Sequence, residues 1–153
     1  MRKLWGVVVL TGLLHLGVGL LPAFAGDSLY GKITEVKSAE LVVLDYGEGE
    51  YDVRLVGIDA PQTGPLAEEA RKLVAALVLG KNARIRFEGR GAKEEMVSRL
   101  LADDPVLGVK DVGLELVKAG LAQRQQDFDY KYGELAAAEN EARAAKRGLW
   151  SSK

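Results

Sequence analysis

In the stretch Val53-Arg54-Leu55-Val56-Gly57-Ile58-Asp59-Ala60-Pro61-Gln62, a guanidinium and a carboxylate are set close to one end of a strand. Val53 and Leu55 alternate with Arg54, which gives a strand with one apolar face and one face that carries the cation. Gly57 lets another group approach the backbone closely. Asp59 falls where the strand ends, and Pro61 stops the hydrogen-bond ladder. A planar fork of N–H donors beside an oxygen ligand is what a phosphate-plus-metal site needs. The same pairing also arises from plain solvation of a strand face with turn chemistry at the aspartate.

Composition narrows the chemistry around that pair. The chain of 153 residues has no cysteine and one histidine, His15, which lies in an apolar N-terminal segment. Disulfides, thiolate-bound metals, histidine bases and histidine-bound zinc are therefore excluded from the folded domain. Any metal would be hard and oxygen-ligated, such as calcium or magnesium. The net charge of −1 does not suit tight non-specific binding of nucleic acid, although it leaves room for a local basic site.

Residues 1–25 read as a cleavable signal peptide. Arg2 and Lys3 form the basic start, Gly6 to Leu21 is apolar apart from Thr11 and His15, and Ala23-Phe24-Ala25 gives a small-x-small cleavage pattern. Export to the periplasm or the extracellular space is expected, with residues 26–153 forming a single domain without a membrane span.

The elements that must position Arg54 and Asp59 follow from periodicity. Strands are expected at Ser28 to Val36, Leu41 to Tyr46 and Glu50 to Ile58, with a hairpin turn at Gly47-Glu48-Gly49. Pro65 opens a helix whose apolar positions are Leu66, Ala70, Leu73, Val74 and Leu77, and Gly80 ends it. Asn82 to Glu88 alternates as a fourth strand, Gly89 to Ala92 reads as a turn or loop, and Met96 to Ala102 is a fifth strand broken by Asp103-Asp104-Pro105. Asp111 caps a short helix from Val112 to Ala119, closed by Gly120. Leu121 to Phe128 is irregular and polar. A last, Ala-rich helix is expected from about Tyr130 to Lys146, with Leu149 and Trp150 packing after Gly148. This order fits an α+β fold, a small antiparallel barrel with three helices packed on it.

Beyond Arg54 to Pro61, the stretches Leu77-Val78-Leu79-Gly80-Lys81, Arg99-Leu100-Leu101-Ala102, Leu116-Val117-Lys118-Ala119-Gly120-Leu121-Ala122 and Glu141-Ala142-Arg143 with Gly148-Leu149-Trp150 carry a resemblance. In order and spacing, they resemble the thermonuclease (staphylococcal nuclease-like) family over nearly all of residues 26–153. The resemblance implies a five-stranded OB-fold β-barrel with three α-helices and calcium-dependent hydrolysis of nucleic-acid phosphodiester bonds. It implies that Arg54 and Arg99 hold the phosphate and stabilise charge on it. It makes Asp59 a calcium carboxylate and Ala60 a calcium ligand through its main-chain carbonyl. Phe128 and Lys118 fall at positions expected to contact substrate.

Several positions depart from the family's pattern. The metal loop Asp-Gly-Asp-Thr is replaced by Lys37-Ser38-Ala39-Glu40, in which Glu40 is the only carboxylate. Gln62 stands where the family has the glutamate that activates water, and an amide does not take a proton as a carboxylate does. Val97 and Ser98 replace a tyrosine and a glycine before Arg99, and the later aromatic pair becomes Gln126 and Phe128. The expected activity is a weakened or altered exported nuclease acting on DNA or RNA with calcium or manganese. The alternatives are a non-catalytic OB module binding an oligonucleotide, a phosphate-like anion or a protein, and a scaffold that keeps only the fold. With little metal, Arg54 and Arg99 would still attract a phosphate or other anion; the purely structural reading of the pair is an ion network with Asp59 or Glu40.

Overall fold

The computed structural model describes residues 28–93, 95–105, 108–128 and 133–151. The expected signal peptide lies outside the described residues. The chain forms β1 (Ser28–Val36), β2 (Leu41–Asp45), β3 (Glu50–Leu55), β4 (Ile58–Asp59), α1 (Pro65–Val78), β5 (Asn82–Arg90), β6 (Met96–Asp104), β7 (Gly108–Asp111), α2 (Val112–Lys118), β8 (Gln123–Arg124) and α3 (Glu134–Ala144), followed by a 3₁₀ turn, Gly148–Trp150.

Strand order is β3-β2-β1-β5-β6-β7, and a further parallel pairing of β3 with β6 closes the first five into a barrel. Closure removes the open edges that a curled meander would otherwise expose. Alternation then sorts the side chains. Ile33, Val42, Leu44, Val53, Ile85 and Leu100 fill the interior and are fully buried, each worth about 1.5–3 kcal/mol of transfer free energy. Their sequence neighbours Arg54, Arg84, Arg86 and Arg99 therefore point outward. Ser98 also points inward, and its hydroxyl has no hydrogen-bond partner among the described residues.

Helix α1 packs Ala70, Val74 and Val78 into the core, and Pro65 stands at its first turn as expected. Its end is stitched to β1 by Gly80 N–H donating to the Ile33 carbonyl at 2.8 Å and Ile33 N–H donating to Lys81 at 3.0 Å. Asp111 caps α2 by accepting the Leu114 N–H at 3.0 Å. No helix among the described residues is long and apolar enough to cross a membrane.

Some boundaries differ from the expectation. The third strand stops at Leu55 because Gly57 takes φ 81°, and Ile58–Asp59 restart as β4 against β8, within the stretch read as irregular. Gly57 is required there twice over, since an added Cβ would also stand 2.5 Å from the Phe128 ring. β5 runs on through Gly89 and Arg90, and β6 runs through Asp103 and Asp104, because each finds a partner strand that local turn propensity does not reveal. Helix α3 begins at Glu134, and residues 129–132 lie outside the described residues.

Candidate active site

Arg54 on β3 lies opposite Val97 of β6 in the parallel register, so Arg54 and Arg99 share the outer face of the barrel. Their offset is that of diagonal neighbours, roughly 7–8 Å between backbones and within reach of long side chains. The fold thus brings together the two guanidiniums expected to hold one phosphate.

Each arginine is held at its inner end by a carboxylate. Arg54 donates Nε–H to Glu95 Oε1 at 2.8 Å, and its Nη1 lies 3.6 Å from Glu40 Oε2. Glu95 is 7% exposed, and its second oxygen accepts the Lys93 N–H at 2.8 Å. Gly91 leaves the room this carboxylate occupies, since an added Cβ would collide with it. The hydrogen bond from Arg54, helped by the backbone N–H groups of Glu95 and Lys93, holds the Glu95 carboxyl below the usual range. Arg99 repeats the arrangement. Its Nε–H donates to Asp111 Oδ2 at 2.9 Å, and its Nη2 lies 4.0 Å from Glu134 Oε2. The Asp111 side chain is 6% exposed, and the same carboxylate caps α2. Anchoring through Nε fixes the plane of each guanidinium. Among the described residues, the Nη groups of Arg54 have only the approach to Glu40, and its side chain is 37% exposed.

Glu40 links Arg54 to the turn after β4. Its Oε1 accepts the Ala60 N–H at 2.5 Å, and its own carbonyl accepts the Leu55 N–H at 2.8 Å. Burial pushes the Glu40 carboxyl up and the Asp59 charge adds to this, while the Ala60 N–H and Arg54 oppose it. The Glu40 and Asp59 carboxylates and the Ala60 carbonyl are hard oxygen donors of the kind calcium takes, and the Ala60 N–H to Glu40 hydrogen bond joins two of these residues. The ligand charge of this set is low, however. Among the described residues no three His, Cys, Asp or Glu side chains converge as a metal-holding group. Gln62 donates its amide N–H to the Ala60 carbonyl at 2.9 Å, which turns the amide oxygen away from that ligand.

The other expected residues make contacts of their own. Phe128 is half-buried over Gly57 and packs against the core, so its ring supports the β4 turn. Lys118 pairs with Glu115 at 3.1 Å at the far end of α2, roughly 10 Å along the axis from the Asp111 cap. Asp59 is exposed and also borders a polar cleft of about 470 Å³ with Gln123, Arg124, Glu139 and Arg143. Glu95 and the second role of Asp111 are absent from the motif-based expectation. Arg54 and Glu95 are 41 residues apart, and only the β3–β6 register joins them.

Comparison with known proteins bears on this geometry. The family described as "Staphylococcal nuclease homologue" matches residues 52–152. A protein named "Probable endonuclease LCL3" from Verticillium alfalfae is 34% identical over 113 residues, covering 66% of this chain and 39% of the fungal one. "Probable staphylococcal-like nuclease CAN1" from Oryza sativa is 27% identical over 133 residues, 86% of this chain and 37% of the rice protein. An "Uncharacterized endonuclease" of Escherichia coli O157:H7 is 27% identical over 131 residues, 85% of this chain and 82% of its own length. The chain thus spans well under half of the fungal and rice relatives.

Proposed function

Because the chain belongs to the staphylococcal nuclease homologue family, we propose that it hydrolyses phosphodiester bonds of DNA or RNA on the barrel's outer face, at Arg54 and Arg99. The observation that carries this reading is the shared Nε anchoring. Two outward guanidiniums on adjacent strands are each held by a carboxylate under a tenth exposed. Their Nη ends supply charged donors to the non-bridging phosphate oxygens, where negative charge builds up in the transition state.

Gln62 has its N–H₂ group committed to the Ala60 carbonyl, and in this reading its amide oxygen orients water without removing a proton. Loss of a general base is worth roughly 10²–10⁴-fold, so the proposed activity is slow. Asp59, Glu40 and the Ala60 carbonyl would hold calcium, which when bound supplies Lewis-acid polarisation and a more acidic water. Residues 1–25 serve, in this reading, as a leader that directs residues 26–153 out of the cytoplasm. The basic start, apolar run and Ala23-Phe24-Ala25 pattern support that part.

A second reading, a non-catalytic binding module, draws on a specific feature. Arg54 already faces two glutamates, and a substrate phosphate must compete with Glu40 for it. The two separate in one assay. The full chain is tested for nicking of plasmid and cleavage of a single-stranded oligonucleotide with calcium, manganese or chelator, beside Arg54→Ala and Arg99→Ala. Divalent-dependent cleavage lost in both variants supports the nuclease reading. Metal-independent binding with no cleavage above the variants supports the module.

A further inference from the structure

The outer face beside the candidate site carries more positive charge than the phosphate chemistry uses. Arg86 of β5 lies directly opposite Arg99 of β6 in the antiparallel register, and Arg84 lies opposite Leu101. On the other side of β5, Arg86 faces Ser28 and Arg84 faces Tyr30 of β1. Arg86 thus sets a second cation beside Arg99, whose own guanidinium is held by Asp111. Both β5 arginines are exposed. Arg84 makes no ion pair or hydrogen bond among the described residues, and Glu88 approaches Arg86 only to 4.0 Å. Ser28, Arg84, Arg86 and Leu101 line a shallow groove of about 260 Å³. Tyr30 beside it is 53% exposed. The whole chain is slightly acidic, so this row is a local concentration of charge.

We propose that this face, running from Arg99 through Arg86 to Arg84 with Tyr30 at its end, is a binding track for single-stranded nucleic acid leaving the candidate site. The identity of the polyanion rests on the nuclease reading; the track itself rests on the register and the exposed charge. Arg84 and Arg86 are about 7 Å apart along the strand, and their cations meet the phosphate backbone. The exposed ring of Tyr30 offers a stacking surface to an unpaired base, which a duplex does not present. A groove of cations with an aromatic beside it is the usual equipment for a single strand held without sequence preference.

The test measures affinity of the full chain for a fluorescent oligothymidylate, in chelator, between 50 and 200 mM salt. Each phosphate contact on a single strand contributes about 0.7 to the slope of log affinity against log salt. Arg84→Gln with Arg86→Gln should flatten the slope by about 1.4, so that the loss of affinity over that salt range becomes about sevenfold smaller. Arg71→Gln with Lys72→Gln on α1 removes the same charge elsewhere and should leave the slope alone. Tyr30→Ala should weaken binding roughly tenfold with the slope unchanged, as lost stacking does. An unchanged slope in the β5 pair, an equal change in the α1 pair, or preference for duplex or an acidic polypeptide over the oligonucleotide would overturn the track. A flattened slope in a protein that does not cleave would uphold the track while the nuclease reading falls. Cleavage that needs Arg54 and Arg99 with an unchanged slope would do the reverse.

Discussion

Asp111 serves two masters, and separating them tests whether the anchoring of Arg99 matters to chemistry. Its Oδ1 accepts the Leu114 N–H at 3.0 Å, and its Oδ2 accepts Arg99 Nε–H at 2.9 Å. Asp111→Ala removes both. Loss of a helix cap costs about 0.5–2 kcal/mol, and loss of a hydrogen bond to a charged group about 1.5–3 kcal/mol. Together these predict about 2–5 kcal/mol, a fall in Tm of roughly 4–20 °C for a chain of this size. Asp111→Asn keeps the cap, because asparagine caps as well as aspartate. With its amide oxygen on Leu114, its N–H₂ group then faces the guanidinium, donor against donor. Asn should therefore be the more stable variant by about the worth of the cap, 0.5–2 kcal/mol. Cleavage should fall alike in both, on the order of 10²-fold, the penalty for a misplaced reacting group. Thermal unfolding followed by circular dichroism, with oligonucleotide cleavage well below either midpoint, reads both quantities. An Asn variant that cleaves at the wild-type rate would show that Asp111 only caps the helix.

Other perturbations probe the rest of the cluster. Glu95→Gln should lower stability at pH 7, with the difference from wild type shrinking as pH falls from about 4.5 through the depressed Glu95 value; an acid titration followed by Trp fluorescence checks this. The sign follows because a carboxyl with a lowered folded pKa stabilises above its ordinary value and loses that contribution on protonation. Gln62→Glu should raise cleavage, by up to roughly 10²–10⁴-fold if the missing base is the main defect. A rate that stays flat would shift the defect to the loop Lys37 to Glu40. Millimolar calcium should raise the wild-type Tm at pH 7, and Glu40→Gln should cut that shift, since a ligand that binds only the native state stabilises it. An equal shift in both proteins would remove Glu40 from the ligand set.

The barrel was legible because alternation is a strong signal when one strand face is buried. Val53, Leu55, Ala83 and Ile85 announce their faces, and the structure buries all four. Strand ends were less legible. Gly89 and Asp103 read as breakers, yet a waiting partner strand supplies the hydrogen bonds that override local preference. The same limit applies to the site. Arg54 and Arg99 stand in recognisable motifs, and alternation alone turns both outward. Their carboxylate anchors come from elsewhere. Glu95 meets Arg54 only through the β3–β6 register, and Asp111 reaches Arg99 only because β7 folds back on β6. Glu40 was found as the lone carboxylate of its loop. Its hydrogen bond to Ala60 depends on how that loop lies against β4, which composition does not encode.

The most direct measurement is single-turnover cleavage of one oligonucleotide by the wild type, Arg54→Ala, Arg99→Ala and the double variant. If both guanidiniums grip the same phosphate, each single change costs at least about 10²-fold and the double costs scarcely more, as expected of residues acting as one unit. Single variants that cleave like the wild type, or losses that simply multiply, would contradict the account.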